Sequence, residues 1–146
     1  MECTLPTPAS KEANAAAPVT PLHALVVSRD RECLTSCCYK LGTMNVTVHG
    51  APSTDLGSRM FEWKHYDILV IDPKGIDWHR LQLHVARCSL QHRKAMPIVA
   101  VLQRDGSVVP HQWGEGNDYD EVLSFPLRRE ELESFLASCA CYCPYS

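Results

Sequence analysis

The most informative hydrophobic pattern in this chain is a short apolar run that ends in an acidic residue. Residues 68–71 are all aliphatic, Asp72 follows them, and Pro73 and Gly75 then supply turn residues. A run this short, bounded by Asp and Gly, predicts a strand buried on both faces, as in parallel sheets. A carboxylate at the end of such a strand lies in the ligand-binding crevice of a doubly wound α/β fold. Asp72 is therefore the first candidate functional residue.

Similar apolar runs recur along the chain and alternate with segments of helical periodicity. The other predicted strands cover 23–27, 45–48, 98–102 and 121–125. Residues between the fourth and fifth strands are interrupted by Gly and Pro, which predicts a short or distorted helix or a loop there. The predicted apolar helix faces contain Leu34, Cys37, Cys38 and Leu41; Leu56, Met60 and Trp63; Trp78, Leu81, Val85 and Cys88; and Leu132, Phe135, Leu136, Cys139 and Cys143. Because a helical segment follows each strand, the pattern predicts one parallel sheet with helices on both faces.

Length and composition define the broad class of the protein. The chain has 146 residues, of which 45% are apolar, and this is enough for one domain with a single core. Its net charge of -3 provides no basic excess for nucleic-acid binding. The apolar runs are too short to span a membrane, and the N-terminus lacks the pattern of a secretory signal. We therefore expect a cytoplasmic protein that binds neither nucleic acid nor membrane.

The chain divides into a terminal segment and one domain. Residues 1–20 contain Pro, Ala, Ser and Thr and almost no large apolar side chain, which predicts a disordered tail or linker. Residues 21–143 are predicted to form the domain, and 144–146 a short C-terminal tail. The loop after the first strand, residues 28–31, has no glycine-rich phosphate-binding pattern. Enzymatic activity is not expected.

Three segments resemble the receiver domain of two-component response regulators, the CheY-like family. Residues 66–72 resemble its third strand with the phosphoaccepting aspartate, and residues 96–101 resemble its fourth strand. Residues 118–131 resemble the stretch that contains its fifth strand and the start of its last helix. The resemblance implies a flavodoxin-like α/β fold, with a doubly wound five-stranded parallel sheet in the order 2-1-3-4-5. It also places the phosphoacceptor position at Asp72.

The acidic pair that binds Mg²⁺ in this family is missing here. The two positions fall on Ser28 and Arg29, and Asp30 follows one position later, where we expect it to cap the first helix. Without the pair, a divalent cation lacks most of its hard oxygen ligands, so no cofactor is expected. Arg29 is then either an ion-pair partner of Asp72 or a solvated loop cation, and Lys74 is a candidate second cation.

The positions that respond to phosphorylation in this family are also changed. The Thr or Ser at the end of the fourth strand is replaced by Leu102, and the Lys before the conserved proline is replaced by Phe125. The aromatic switch position is Val122, and Pro126 is retained at the position of the family's cis-proline. The resemblance therefore indicates a degenerate pseudo-receiver, in which Asp72 is a vestigial acceptor or a structural cap of the following turn.

These observations predict a non-catalytic domain that acts in signal transduction by protein–protein contact. The resemblance implies a histidine kinase, a phosphotransfer protein or the rest of a larger signalling chain as partner. Trp113 and Arg128 are the candidate contact residues, and homodimerisation through the same face is another arrangement that we consider. A phosphorelay receiver that is still phosphorylated on Asp72 is an alternative function.

The cysteines suggest a further alternative, a redox, metal or lipid-anchored module. Cys143 is the fourth residue counted from the end of the sequence, as in a prenylation motif, but Pro144 and Tyr145 do not fit the aliphatic positions of that motif. No Cys-x-x-Cys pair is present, and zinc sites usually have such tight spacing. We expect Cys37, Cys38, Cys88 and Cys139 to pack as small apolar side chains.

Overall fold

Strands and helices alternate along the chain in the computed structural model, which describes residues 22–104 and 119–139. In chain order, its elements are β1 (Leu22–Val27), α1 (Arg31–Gly42), β2 (Val46–Ala51), α2 (Thr54–Trp63), β3 (Ile68–Ile71), α3 (Trp78–Gln91), β4 (Ile98–Arg104), β5 (Glu121–Phe125) and α4 (Arg129–Ala137). The segment 1–20, Trp113, Cys143 and the tail 144–146 lie outside the described residues. None of the described helices combines the length and hydropathy needed to cross a membrane.

The five strands form one parallel sheet in the order β2-β1-β3-β4-β5, which confirms the predicted fold class. Val27 pairs with Ile71, and Ile71 pairs in turn with Val101. Because parallel strands end at the same edge of a sheet, the residues that follow β1 and β3 lie side by side. This register brings Ser28 next to Asp72.

The core has two layers, one on each face of the sheet, as predicted. β3 is the centre of both layers, because each of its four residues, 68–71, is fully buried. α1 and α4 cover one face, and their buried residues include Cys33, Leu41 and Leu132. The core on the other face includes residues of α2 and α3. Burial of apolar surface at about 25 cal/mol per Å² makes these two layers the main source of stability.

Asp30 is the N-cap of α1, as predicted from the sequence. Its backbone is extended (φ -87°, ψ 114°), and its carboxylate accepts hydrogen bonds from the backbone N–H groups of Glu32 and Cys33. These are two of the donors at a helix start that have no partner within the helix. Asp30 is thereby fixed at the edge of the sheet where Asp72 lies.

The predicted core face of α2 is wrong for Leu56 and Trp63, whereas Met60 packs against the core as predicted. Leu56 is 36% exposed and Trp63 is 77% exposed, whereas Gly57 and Phe61 are buried. The physical reason is the close approach of the helix to β1, since a Cβ atom on Gly57 would lie only 3.2 Å from a methyl group of Val27. The side of the helix that contains Gly57 and Phe61 therefore faces the sheet, and Leu56 and Trp63 face outward.

Candidate functional site

The candidate site is centred on Asp72, which follows β3 and is only 1% exposed. Its backbone N–H donates to the carbonyl of Val27 (2.9 Å), so the strand pairing fixes its position. Ser28 is fully buried, and its hydroxyl donates a hydrogen bond to Oδ2 of Asp72 (2.8 Å). The hydroxyl of Ser28 also accepts a hydrogen bond from the backbone N–H of Asp30 (3.1 Å). A buried carboxylate is therefore held by a hydroxyl that is itself fixed.

The charge of Asp72 is compensated by Arg104, the last residue of β4. Nη2 of Arg104 lies 2.7 Å from Oδ2 of Asp72 and 2.9 Å from Oδ2 of Asp30. The guanidinium carbon also lies 5.3 Å from the centre of the Phe125 ring, in a cation–π contact. A buried carboxylate is stable only when it is paired and hydrogen-bonded, and this arrangement meets both conditions. We call Ser28, Asp30, Asp72 and Arg104 the Asp72 site.

The two charged neighbours of Asp72 stabilise each other's ionised form. The hydrogen bond from Arg104 lowers the pKa of Asp30, and the hydrogen bonds from two backbone N–H groups lower it further. Burial opposes the positive charge of Arg104, but its hydrogen bonds with Asp30 and Cys33 and the charge of Asp72 raise its pKa overall. The guanidinium is therefore a permanent cation in this site.

Of the two alternatives for Arg29, the ion pair with Asp72 is wrong, because the partner of Asp72 is Arg104. Arg29 is exposed, and its aliphatic stem lies against Gly75, where a Cβ atom would be 2.6 Å from Cδ of Arg29. The predicted second cation, Lys74, is also exposed, and the contact that it makes with Asp72 is through its backbone N–H (3.4 Å). This N–H bond is the turn-capping role that was the structural alternative for Asp72.

Sequence reasoning missed Arg104 because it ended the fourth strand two residues too early. β4 continues to Arg104, and residues 100, 102 and 104 lie on one face by the two-residue period of a strand. Ala100 and Leu102 belong to the core layer beneath α1. Extension of the strand pattern by one period would have placed Arg104 above that layer, close to the helix that Asp30 caps.

Comparison with known proteins identifies the fold. No family model and no curated protein matches the chain. The structure of the receiver domain of the Saccharomyces cerevisiae response regulator Ssk1 with the histidine phosphotransfer protein Ypd1 matches with a TM-score of 0.68 at 10% identity, over 86% of this chain and 92% of that chain. Chemotaxis protein CheY4 of Vibrio cholerae matches with a TM-score of 0.63 at 14% identity, over 82% of this chain and 99% of that chain. A receiver domain (CheY-like) from Methylobacillus flagellatus gives 0.61 at 15% identity, over 82% and 99% of the two chains.

The chain has the fold of a CheY-like receiver domain. The strand order and the parallel pairing are those that the sequence resemblance implies. At identities of 10–15%, these matches establish the fold alone. Function must therefore be argued from the residues of the Asp72 site.

The switch positions of the receiver fold contain no polar side chain. Leu102 is 1% exposed, and Val122 and Phe125 are half-buried. The Phe125–Pro126 peptide bond is cis, the conformation that the resemblance implies for this position. Since Phe125 stands where the family has Lys, the cation beside Asp72 comes from β4 instead of β5. Arg128 is exposed and precedes α4 without a side-chain capping bond.

The donor set of the Asp72 site does not fit Mg²⁺. Asp30 and Asp72 are its two carboxylates, and both accept hydrogen bonds from the same guanidinium. Across residues 22–104 and 119–139, no group of three or more His, Cys, Asp and Glu side chains is placed to hold a metal ion. A hard cation that needs several oxygen ligands would have to displace Arg104 and leave its charge unpaired.

Cys33 connects the Asp72 site to the core. It is fully buried in α1, one turn before Cys37. A hydrogen bond with Cys37, and others with Ser28 and Arg104, lower the pKa of Cys33 against the effects of burial and of the Asp72 charge. The hydrogen bond with Cys33 and burial raise the pKa of Cys37. Both residues are free thiols, as are Cys38, Cys88 and Cys139.

Proposed function

We propose that this chain is a non-catalytic receiver-like domain that acts in cytoplasmic signal transduction through protein–protein contact. In this proposal Asp72 is a structural anion, and Arg104 replaces the divalent cation of an active receiver. The observation that carries the proposal is the pair of short contacts that Arg104 makes with Asp72 (2.7 Å) and Asp30 (2.9 Å). Both carboxylates of the site therefore have an ion-pair partner without a metal ion or a phosphoryl group.

The chemistry of phosphoryl transfer supports this reading. A carboxylate that attacks a phosphoryl group brings two anions together, and a metal ion normally neutralises the charge that develops. Here Oδ2 of Asp72 already accepts two hydrogen bonds, from Ser28 and Arg104. Attack through this oxygen would break both bonds in a buried site. The polar side chains that would stabilise the phosphorylated state in the family are replaced at Leu102 and Phe125.

A protein is the proposed partner, by analogy with one of the matching structures. The Ssk1 receiver domain has been solved together with a histidine phosphotransfer protein. By analogy, we propose that this chain binds a histidine kinase or phosphotransfer protein, or another part of a larger signalling chain. Homodimerisation is the alternative arrangement. The candidate contact residue that lies within the described part of the chain is Arg128.

The decisive experiment is a titration with Mg²⁺ and then beryllofluoride, a phosphoryl mimic, followed by amide NMR. We expect no saturable shifts at Asp72, Leu102 or Phe125 in the full chain. An absence of shifts has two possible causes, the guanidinium of Arg104 in the site and the lack of oxygen ligands for Mg²⁺. An Arg104→Ala variant separates them, because it removes the guanidinium without adding a ligand. We expect no saturable shifts in this variant either. Saturable shifts at Asp72 in the wild-type chain would contradict the proposal.

A second candidate function is a relay in which Asp72 still accepts a phosphoryl group. The observation that favours it is a cavity of about 400 Å³ that Asp72 lines together with Arg29 and Lys74, two cations that could attract an anionic donor. Acetyl phosphate would transfer its phosphoryl group to the carboxylate, and acetate would leave. Intact mass spectrometry tests this function, since a phosphoryl adduct on the wild-type chain that is absent from Asp72→Asn would establish it.

A further inference from the structure

A second cavity lies at the opposite edge of the sheet from Asp72, where α2 and α3 end. Its volume is about 190 Å³, and we call it the α2–α3 cavity. Helices in this fold run antiparallel to the strands they cover, so their carboxyl ends meet at the edge where the strands begin. The cavity is therefore independent of the Asp72 site. Its lining is formed by Phe61, Glu62, Trp63, Lys64 and His65 after and within α2, and by Cys88, Ser89, His92 and Lys94 at the end of α3.

Two unpaired ammonium groups line the cavity. Lys64 and Lys94 both line it, and neither has a salt-bridge partner in the part of the chain that the structure describes. Glu62 also lines the cavity, and its carboxylate lies 3.2 Å from Nε2 of His84. Glu62 and the negative ends of the two helices offset the charge of the lysines over the cavity as a whole. The attraction for an anionic group is therefore local, at the two ammonium groups.

A buried hydroxyl provides an independent indication of a ligand. Ser89 lines the cavity and is 5% exposed. Its Oγ is fully buried and has no hydrogen-bond partner among the described residues. Buried hydroxyl groups are nearly always hydrogen-bonded, so an unmatched one beside a cavity calls for a partner that is bound there. A carboxylate oxygen of a ligand is an acceptor that also complements Lys64 and Lys94.

Exposed apolar side chains next to the cavity indicate that the ligand is part of a protein. Trp63 lines the cavity and is 77% exposed, and Leu90, which follows Ser89 in α3, is 82% exposed. Exposed tryptophan is the residue type that most often contributes a large share of the binding energy of a protein interface. A small anion would use the lysines and Ser89 but would leave these side chains uncovered. A protein segment with an acidic residue beside an apolar one covers both.

We propose that the α2–α3 cavity is a docking site for an acidic, partly apolar segment of a partner protein. A carboxylate of the segment binds Lys64, Lys94 and Ser89 in the cavity. A neighbouring apolar side chain of the segment packs on Trp63. This surface is distinct from the face that contains Arg128, so the domain can hold two partners at once.

Selection from a random peptide library on the full 146-residue chain tests the docking site. We expect enrichment of Asp or Glu next to a large apolar residue, and affinity at least tenfold weaker for the double variant Lys64→Glu, Lys94→Glu. The matched control is Arg31→Glu, Arg129→Glu, which changes the net charge equally in α1 and α4 and should leave affinity unchanged. Absence of acidic peptides, or equal weakening by both double variants, would overturn the proposal.

Two further measurements locate the binding and exclude a second copy of this chain. The best selected peptide should shift the indole N–H resonance of Trp63 and the amide of Ser89, and Trp63→Ser should weaken it at least tenfold. Shifts confined to residues outside the α2–α3 cavity would refute the location. Light scattering should give the same mass for the wild-type chain and Trp63→Ser. A dimer that Trp63→Ser dissociates would assign the surface to self-association instead.

Discussion

Replacement of Arg104 by Met tests whether the guanidinium is what makes a buried Asp72 tolerable. Met keeps most of the aliphatic length and can still contact the Phe125 ring, so the main change is loss of the charge and its hydrogen bonds. Asp72, at 1% exposure, would then keep the hydrogen bond from Ser28 but no cation. Breaking a buried ion pair by removing one partner usually destabilises a protein by about 3–5 kcal/mol, because the remaining charge is uncompensated.

The expected loss for Arg104→Met lies at the low end of that range, about 3 kcal/mol. The side chain of Arg104 is 24% exposed, so water already screens part of the pair, and the second acceptor, Asp30, is 41% exposed. The double variant Arg104→Met, Asp72→Asn should recover much of the loss. Its amide is uncharged and still accepts a hydrogen bond from Ser28.

Urea unfolding at neutral pH, followed by circular dichroism, measures these differences. The control is Lys74→Met, which removes an exposed cation from the same cavity and should change the free energy of unfolding by no more than about 0.5 kcal/mol. The reasoning is refuted if Arg104→Met costs less than about 1 kcal/mol, below the range expected for a broken buried pair. It is also refuted if adding Asp72→Asn to Arg104→Met restores no stability.

Three further predictions follow from single positions. Gly75→Ala should lower the free energy of unfolding by about 1–2 kcal/mol, because φ is +77° and the new Cβ would meet Arg29. Adding Arg29→Ala should restore only the part of this loss that comes from the clash with Arg29, as measured in the same urea assay. Since the pKa of Asp30 is lowered in the folded state, its contribution is present above the ordinary pKa of about 3.8 and is lost as pH falls below it. Asp30→Asn should therefore flatten the dependence of stability on pH in this acid range, and an unchanged slope would contradict the assignment. Ile71→Ala should cost about 3 kcal/mol and Leu90→Ala less than about 0.5 kcal/mol, and comparable losses would contradict the burial of β3.

The fold was predictable because its signal is local and repeated. The apolar run of residues 68–71 is enough to identify a strand that is buried on both faces. The alternation of strands with helical segments leaves few ways to connect the strands in one sheet. The face of α2 was not predictable from periodicity. Leu56 and Trp63 have helical spacing, but the approach of Gly57 to Val27 decides which side contacts the sheet. Such an approach depends on a neighbouring strand that a single-segment pattern does not contain.

The candidate site was predictable in part. The position of Asp72 follows from the strand pattern, and the capping role of Asp30 follows from its place before the first helix. The identity of the cation that pairs with Asp72 does not follow from the sequence. Arg29 is next to Asp30 in the sequence, whereas Arg104 comes close to Asp30 and Asp72 only when β1, β3 and β4 are aligned in the sheet. Proximity in sequence favoured the wrong arginine.

The bridge from Arg104 to Asp72 and Asp30 has a consequence for the order in which the polypeptide matures during synthesis. β1 and β3 emerge from the ribosome before Arg104. Until Arg104 has been translated, the carboxylate of Asp72 lacks the cation with which it is paired when buried. We therefore expect the amino-terminal half to stay open at this edge, with Asp72 hydrated, until β4 has been synthesised. Chains terminated before Arg104 should accordingly be targets for chaperones and proteases.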